Sequence, residues 1–338
     1  MSRSTVTNRR LPTIIDVAAR AGVSKSLVSM VMRDDPGVSG PRRAAVLAAA
    51  ADLGYRPNRA AAILAGTRTR TIGVVIDDFR NPWYVPMLDG IRSALEPHGL
   101  RLTLADTTAN AHLASSPFDD LVSLRVDGVV LAAESSDDLE VPVDIPVVVA
   151  GVRALAPHGV DVVASDEAAG ARAATEHLLA LGHRSVAHLS GTGGSAAARR
   201  DATVSTLVAA GIAPVVVGTG DTSEQAGYAL TTALLRDRPG VTGVFAANDV
   251  MAMGAIAAVR ASGLRVPEDV SVIGHDETPL AGSPLVDLTT IDPHNDEVGR
   301  LAALRLVSLI GATERPAPDV TLVSPTLVVR GTTAPPRS

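Results

Sequence analysis

From Thr71 to Leu309 short β-branched runs alternate with longer amphipathic stretches. The runs predict strands at Thr71–Ile76, Leu100–Ala105, Gly128–Ala132, Val147–Ala150 and Val162–Ser165. Further strands are expected at Ser185–Ser190, Val215–Val217, Gly243–Ala246 and Val270–Gly274. Between them, helical spacing covers Tyr84–Leu95, Glu167–Leu181, Ala196–Ala210, Gln225–Leu235, Asp249–Ser262 and Asp296–Leu309. Strands that alternate with helices make βαβ units and parallel sheets, and this many units suggest two doubly wound lobes. In such sheets ligands bind beyond the carboxyl ends of the strands.

The first seventy residues follow a different period. Thr13 can cap a helix over Ile14–Ala21, with Asp16 near its positive end and Ile14, Val17 and Ala18 on one face. Gly22 breaks that helix. Ser24 can cap a second, Lys25–Met32, with Val28, Val31 and Met32 inward, and a third is expected over Pro41–Leu53, ended by Gly54. Two short helices joined by a glycine-containing turn form a helix-turn-helix, whose second helix enters the major groove of DNA.

Charge separates the same two parts. Residues 1–70 carry 12 Lys/Arg and 4 acids, and the other 268 carry 18 and 32. A basic head on an acidic body is the footprint of a nucleic-acid-binding module joined to something that need not touch DNA. Aromatics are 2% of the chain, so the core must be built from Ala, Val, Leu and Ile, and stacking platforms for single strands are disfavoured. Without cysteine there are no disulfides, thiolate zinc sites, iron–sulfur clusters or cysteine nucleophile. Lys25 is the lone lysine among 30 basic residues, which removes most lysine chemistry.

The run TIIDVAARAGVSKSLVSMVM, followed by GYRPNRAAAILAG at Gly54–Gly66, resembles the DNA-binding head of the LacI family of bacterial repressors. Leu27 stands where that family usually has Thr, and Met30 where Arg or His often sits. The body resembles the family's effector-binding core, related to type I periplasmic sugar-binding proteins. The matching stretches are DDFRNPWY, EHLLALGHRSVAHLSG, VFAANDVMAMGAIAAVRASGLRVPEDVSVIGHDETPLA and LTTIDPHNDEVGRLAA. The resemblance implies a hinge helix over Asn58–Ala65, with Leu64 wedged into the central base step in the minor groove. A wedge of this kind unstacks a step and bends the duplex toward more contacts. Packing of Ile63 and Leu64 against the body is the plainer alternative.

The expected fold is therefore α/β, with an all-α helix-turn-helix head and hinge helix joined to a two-lobe core of doubly wound parallel sheets. The boundaries are a disordered arm at 1–12, the head at 13–57, hinge and linker at 58–70, the core at 71–330 and a tail at 331–338. Within the core, lobe 1 takes about 71–164 and 293–324, and lobe 2 about 165–291 and 325–330. Three crossings between lobes are placed near 162–166, 290–294 and 324–327.

On the DNA side, Lys25, Ser26 and Met30 are expected at base edges. Ser24, Ser29, Asn58 and Arg59 should face phosphates, and Thr13 joins the DNA set. For the effector, the loop after the first strand offers Asn81, Trp83 and Tyr84. The two rings are either a stacking surface or packing for the helix start. Arg153 follows the strand Val147–Ala150 and is either a cleft residue or an exposed loop arginine. Arg199 sits where the family has an effector-binding arginine, but Ala202 and Thr203 replace the usual Gly-aromatic pair, so Arg199 and Arg200 remain alternatives. Asn248 offers donors and an acceptor toward the cleft, whereas Asp249 reads as an N-cap. Asp276 is the family's other recurring polar contact, a carboxylate able to take two vicinal hydroxyls.

No enzyme motif is present: no G-x-S-x-G, Walker loop, H-E-x-x-H or G-x-G-x-x-G. Gly191-Thr192-Gly193-Gly194 lacks the lysine and spacing of a phosphate loop, and the eight histidines form no ligand-spaced cluster. No cofactor or metal is expected. Apolar stretches such as Ile145–Val152 fall far short of the ~18 residues that span a bilayer, and the first twenty residues hold no apolar signal region. The expectation is a cytoplasmic homodimeric repressor on a near-palindromic operator, controlled by a small molecule, with no membrane partner. A solute-binding protein or enzyme on the same two-lobe body is the alternative.

Overall fold

A computed structural model describes residues 12–32, 35–56, 69–109, 111–112, 116–133, 145–152, 159–218, 220–312, 314 and 316–337. Asn58, Arg59, Leu64 and Arg153, the expected hinge helix and the first eleven residues of the expected arm lie outside them. The chain divides into one unit over residues 1–69 and another over 70–338.

The head holds three helices, α1 (Ile14–Ala21), α2 (Lys25–Met32) and α3 (Gly40–Leu53). Thr13 closes a capping box on α1: its backbone N–H donates to Asp16 at 2.7 Å and its hydroxyl accepts from the Asp16 N–H at 3.4 Å. Gly22 ends α1 at φ 65°, where a side chain would be strained. The Ser24 hydroxyl accepts from the Leu27 N–H at 3.2 Å and starts α2. Val17, Val28, Val31, Val38, Val46 and Ala49 close a small core beneath the turn.

In the body, lobe 1 contains β1 (Thr71–Ile76), α4 (Tyr84–Leu95), β2 (Arg101–Asp106), α5 (Pro117–Ser123), β3 (Gly128–Leu131), β4 (Val147–Ala150) and β5 (Asp161–Ser165). The chain then enters lobe 2 with α6 (Glu167–Ala180), β6 (Val186–Leu189), α7 (Gly194–Ala209), β7 (Val215–Val217), α8 (Glu224–Asp237), β8 (Gly243–Ala246), α9 (Asp249–Ala261), β9 (Ser271–His275) and β10 (Thr289–Asp292). It returns to lobe 1 for α10 (Asn295–Leu309) and β11 (Val320–Val323), and ends in lobe 2 with β12 (Thr326–Val328).

The sheet orders are β11-β5-β4-β3-β1-β2 and β12-β10-β9-β8-β6-β7, the same topology built twice. Pairing is parallel except between β10 and β12. Strands β3, β4, β6, β8 and β9 are buried at every position, as expected of parallel strands covered on both faces. The chain passes between lobes at Ser165–Glu167, Asp292–Asn295 and Val323–Thr326.

Three strands and one helix had not been expected: β10, β11, β12 and α5. Each is short, and β11 and β12 lie at sheet edges, where half-exposed positions blur the apolar run. Residues 331–337 run beside β9, where the Val272 N–H donates to the Thr332 carbonyl at 2.9 Å and the Ala334 N–H to the Ser271 hydroxyl at 3.0 Å. Arg337 pairs with Asp269 at 2.8 Å.

Each lobe fastens one helix pair through glycines. A Cβ on Gly90 of α4 would fall 1.9 Å from the Asp296 carbonyl oxygen, and one on Gly254 of α9 would fall 2.0 Å from that of Glu224. Gly299 of α10 and Gly227 of α8 face their partners as closely. Backbone-to-backbone packing lets both pairs sit over the sheets without large side chains between them. Gly90→Ala and Gly254→Ala should each lower stability by about 1–3 kcal/mol, although alanine favours a helix by about 1 kcal/mol. Denaturant midpoints at or above wild type would sink this account of the helix pairs.

Candidate functional site

On the head, Ser24, Lys25 and Ser26 are exposed at the start of α2, so the recognition helix presents its positive end and the only lysine together. Ser29 is half-buried. Met30 is half-buried too and packs against the core of the head, so less of its side chain is free than a base contact by an extended residue would use. Thr13 spends its side chain on the capping box, with its hydroxyl 2.7 Å from Asp16 Oδ2.

In the body, polar groups gather where the lobe 2 strands end. Arg199 projects from α7 into the protein and is buried. Its Nε donates to Glu167 Oε2 at 2.7 Å, its Nη1 to the Ala247 carbonyl, and its Nη2 reaches Asp276 Oδ1 at 3.5 Å. Arg200, the alternative in sequence, turns outward and pairs with Asp201 at 3.0 Å. Asp276 follows β9 in a positive-φ conformation (111°), which swings its carboxyl toward Arg199. His275 is buried beside it, with Nδ1 at 3.1 Å from Asp276 Oδ1 and Nε2 at 3.4 Å from Glu167 Oε2. The Nε2 contact lacks hydrogen-bond geometry, and that nitrogen has no other partner.

The helix cap is Asn248 and not, as expected, Asp249. Asn248 is the N-cap of α9: its Oδ1 accepts from the Met251 N–H at 2.8 Å and its Nδ2 donates to the Thr222 carbonyl at 3.3 Å. Asp249 is not a cap. It is fully buried and accepts from the Thr278 N–H at 2.7 Å, the Thr278 hydroxyl at 3.0 Å and the Thr290 hydroxyl at 2.5 Å. Asp249 thereby ties α9 to β10 and to the loop that carries Asp276.

The electrostatics follow from one buried cation among several acids. Burial pushes the Asp276 carboxyl up to about 7, with Arg199 pulling the other way. Burial, helped by the Asp276 charge, raises Asp249 to about 7 against the threonine hydrogen bonds. Burial and then Arg199 depress His275 to about 3, so the ring is neutral. Burial opposes the charge on Arg199, but Glu167 and Asp276 outweigh it and hold the guanidinium above its ordinary pKa.

Lobe 1 supplies the other rim. Tyr84 is buried in the core of α4 and β1, and its hydroxyl donates to Asp77 Oδ2 at 3.0 Å. Trp83 is half-buried, edge-on to Tyr84 with centroids 4.9 Å apart. Asn81 Oδ1 accepts from the Trp83 N–H at 3.0 Å and shapes the turn into α4. Of the two rings, Trp83 is therefore the less buried. The lobes touch where the Ser195 hydroxyl of α7 donates to the Val152 carbonyl at 3.1 Å, just beyond β4. A cavity of about 370 Å³ opens between α4 and the loop after β9, lined by Val85, Pro86, Asp89, Glu277, Thr278, Pro279 and Gly282. None of the expected effector residues lines it.

Glu167, His275, Asp249, Thr278 and Thr290 escaped the sequence reading. Glu167 looked like any acid in a first helical turn, and only the fold brings it to Arg199, 32 residues on. Among the described residues, no group of three or more His, Cys, Asp or Glu could hold a metal ion, and no helix is long and apolar enough to cross a membrane.

A carboxyl whose folded pKa is raised adds stability below its unfolded value and loses it as pH rises through the folded one. For Asp276 that window runs from about 4, the unfolded value, to about 7. Asp276→Asn should remove this part of the pH dependence, on the order of 2–4 kcal/mol shared with Asp249. Denaturation midpoints of variant and wild type that run parallel between those limits would show that Asp276 does not titrate there.

The family described as bacterial regulatory proteins of the lacI family matches residues 13–58, and the periplasmic binding proteins and sugar binding domain of the LacI family match residues 69–330. The chain is 36% identical to the HTH-type transcriptional regulator CelR of Thermobifida fusca over 324 residues, covering 91% of this chain and 95% of that protein. It is similar to the solved complex of a regulator CelR with cellobiose (32% identity, TM-score 0.68, 95% and 99% of the two chains). It is also similar to the lac repressor dimer bound to operator and the anti-inducer ONPF (29% identity, TM-score 0.82, 96% and 100%). With both halves matched and relatives spanning the whole chain, the protein is a DNA-binding transcriptional regulator, not an enzyme, and belongs to the LacI family of bacterial regulatory proteins.

Proposed function

We propose that this regulator represses transcription in the cytoplasm as a homodimer on a near-palindromic operator, and that a sugar or related metabolite bound between the two lobes sets its operator affinity. The observation that carries the reading is the buried Arg199–Asp276 pair at the ends of the lobe 2 strands, in a chain that also holds a helix-turn-helix. Hydroxyl pairs suit Asp276, and a sugar ring face suits a half-exposed indole. The relative whose solved complex contains cellobiose points to the same chemistry.

Asn81, Trp83, Tyr84 and Arg153 belong to the lobe 1 side of this site, and Arg199, Asn248 and Asp276 to the lobe 2 side. Tyr84 and Asn248 act through the shape they give the rim, since their polar atoms are engaged within the fold. A ligand that touches both lobes binds one closure angle better than another, and only that difference can shift the equilibrium. Dimerisation follows from the economy of contacts: one head reads too few bases, and twofold symmetry matches a palindrome. Exposed Val85, Leu280 and Leu285 give the body an apolar surface for a second copy.

At the DNA, Ser24, Ser29 and Thr13 flank the recognition helix, with Lys25, Ser26 and Met30 toward the bases and Asn58, Arg59 and Leu64 serving the hinge. Lys25→Ala should relax specificity at one operator position by about 1–3 kcal/mol. In a binding assay on operator variants, a loss equal for every sequence would assign Lys25 to the phosphates instead.

For the effector, a thermal-shift screen of monosaccharides and disaccharides, cellobiose among them, should raise the melting temperature of the wild type with at least one compound. Asp276→Ala should abolish that shift and bring the ratio of operator Kd with and without the compound to about one, from the several-fold ratio typical of such coupling. A variant that kept the full ratio would remove Asp276 from the site.

A further inference from the structure

Two carboxylates compete for one guanidinium in lobe 2, and the nearer is not the one facing the cleft. Glu167 Oε2 lies 2.7 Å from Arg199 Nε, whereas Asp276 Oδ1 lies 3.5 Å from Nη2. Glu167 is the first residue of α6, directly after the crossing at Ser165–Glu167, and Asp166 anchors that crossing from both sides. The Asp166 side chain accepts from the Ala169 N–H at 2.9 Å in lobe 2, while its backbone N–H donates to the Val323 carbonyl at 2.9 Å in lobe 1. The start of α6 is also wedged in place, because a Cβ on Gly170 would meet Ile291, His275 and Pro325 at 3.0–3.4 Å. Glu167 therefore approaches Arg199 from a segment that the first crossing holds rigidly.

We propose that Glu167 is a positioning residue of the effector site: it takes the best donor of Arg199 and so leaves Asp276 a weakly paired carboxyl, able to offer either an acceptor or an O–H to a ligand. This rests on Asp276 facing the effector. The charged and titratable groups around Asp276 are Arg199 of α7, Glu167 of α6, His275 of β9 and Asp249 of α9, with His188 of β6 and Arg200 acting at longer range through the same cluster. One cation for three buried carboxyls leaves the cluster short of positive charge, so a proton on Asp276 or Asp249 is the cheapest remedy. The neutral His275 ring accommodates either state. Its Nδ1 accepts from a protonated Asp276 and, in the other tautomer, donates to an ionised one across the same 3.1 Å. If Glu167 lost its charge, Arg199 would be free to pair with Asp276 and hold it ionised.

The test uses the full chain without any ligand, so it is independent of whether a sugar binds. Thermal midpoints are measured across pH 4 to 8, a range bracketing the titration, for wild type, Glu167→Gln, Asp276→Asn and the double variant. Glu167→Gln should end the pH-dependent fall in stability about one pH unit or more below the wild-type end point. In the Asp276→Asn background the same change should leave the shape of the profile unaltered, since the group on which Glu167 acts is gone and what remains, Asp249 included, titrates alike with and without the change. Glu167→Asp, which keeps the charge but withdraws it by one methylene, should move the end point in the same direction by less, and serves if the glutamine variant does not fold. A profile displaced equally at every pH means that Glu167 only packs, and overturns the proposal. A shift that persists in the double variant overturns it as well, because Glu167 would then act on another group. A failed sugar screen with the expected titration would instead overturn the effector assignment and leave the Glu167–Asp276 coupling standing.

Discussion

Burying the Arg199 guanidinium takes a permanent charge out of water, and the effective penalty in a protein interior is several kcal/mol per ion. Everything around it is arranged to offset that cost: a close carboxylate from Glu167, a backbone carbonyl from Ala247 and a more distant carboxyl from Asp276. These partners come from three different places, the start of α6, the end of β8 and the end of β9. Their convergence fixes the geometry of all three strand-end loops at once. Removing both carboxyls would strand a buried charge, which is far more destabilising than the pairs are stabilising. The floor of lobe 2 is thus rigid because it cannot relax cheaply, and rigidity suits a surface that must discriminate small polar ligands.

The second constraint is the doubled topology. Each lobe is a six-stranded sheet covered by helices, and each uses a glycine-packed helix pair to keep one layer thin. Apolar side chains too small to fill wide gaps would otherwise leave voids, since the chain has few aromatics to spend. With two firm bodies joined by three short crossings, the soft degree of freedom is the angle between them. Asp249, which joins α9 to β10 and to the Asp276 loop, places its hydrogen bonds just before the second crossing. The loop that carries Asp276 and the second crossing therefore share supports.

Legibility in the sequence followed burial. Strands β1, β4 and β8, with helix α4, were read to the residue, because β-branched runs and helical spacing are strong where a segment is buried. Edge strands β11 and β12 were missed because they are only three or four residues long and hold exposed and half-buried positions without a buried run. The head was legible in detail, down to the Thr13 cap, because caps depend only on neighbours three residues away. The polar site was legible in part. Motif position brought Arg199 and Asp276 to attention, but which of Arg199 and Arg200 turns inward depends on helix phase against the sheet. Glu167 left no trace, since a long-range partner has no local pattern. Asp249 was misread as the cap for a related reason. Either residue type caps a helix well, and only the receiving pair Thr278 and Thr290 shows that the carboxylate is the buried one.

The exposed position of Lys25 has a practical side. With no other lysine in the chain, an amine-reactive reagent meets a single side chain, and it stands in the first turn of the helix assigned to reading bases. Apart from the α-amine, coupling the protein to a sensor surface through amines can tether it only by that helix. The same singularity makes an isotopic methyl label on that amine a spectroscopic probe of the recognition helix, the α-amine giving the one other signal, without a cysteine having to be introduced.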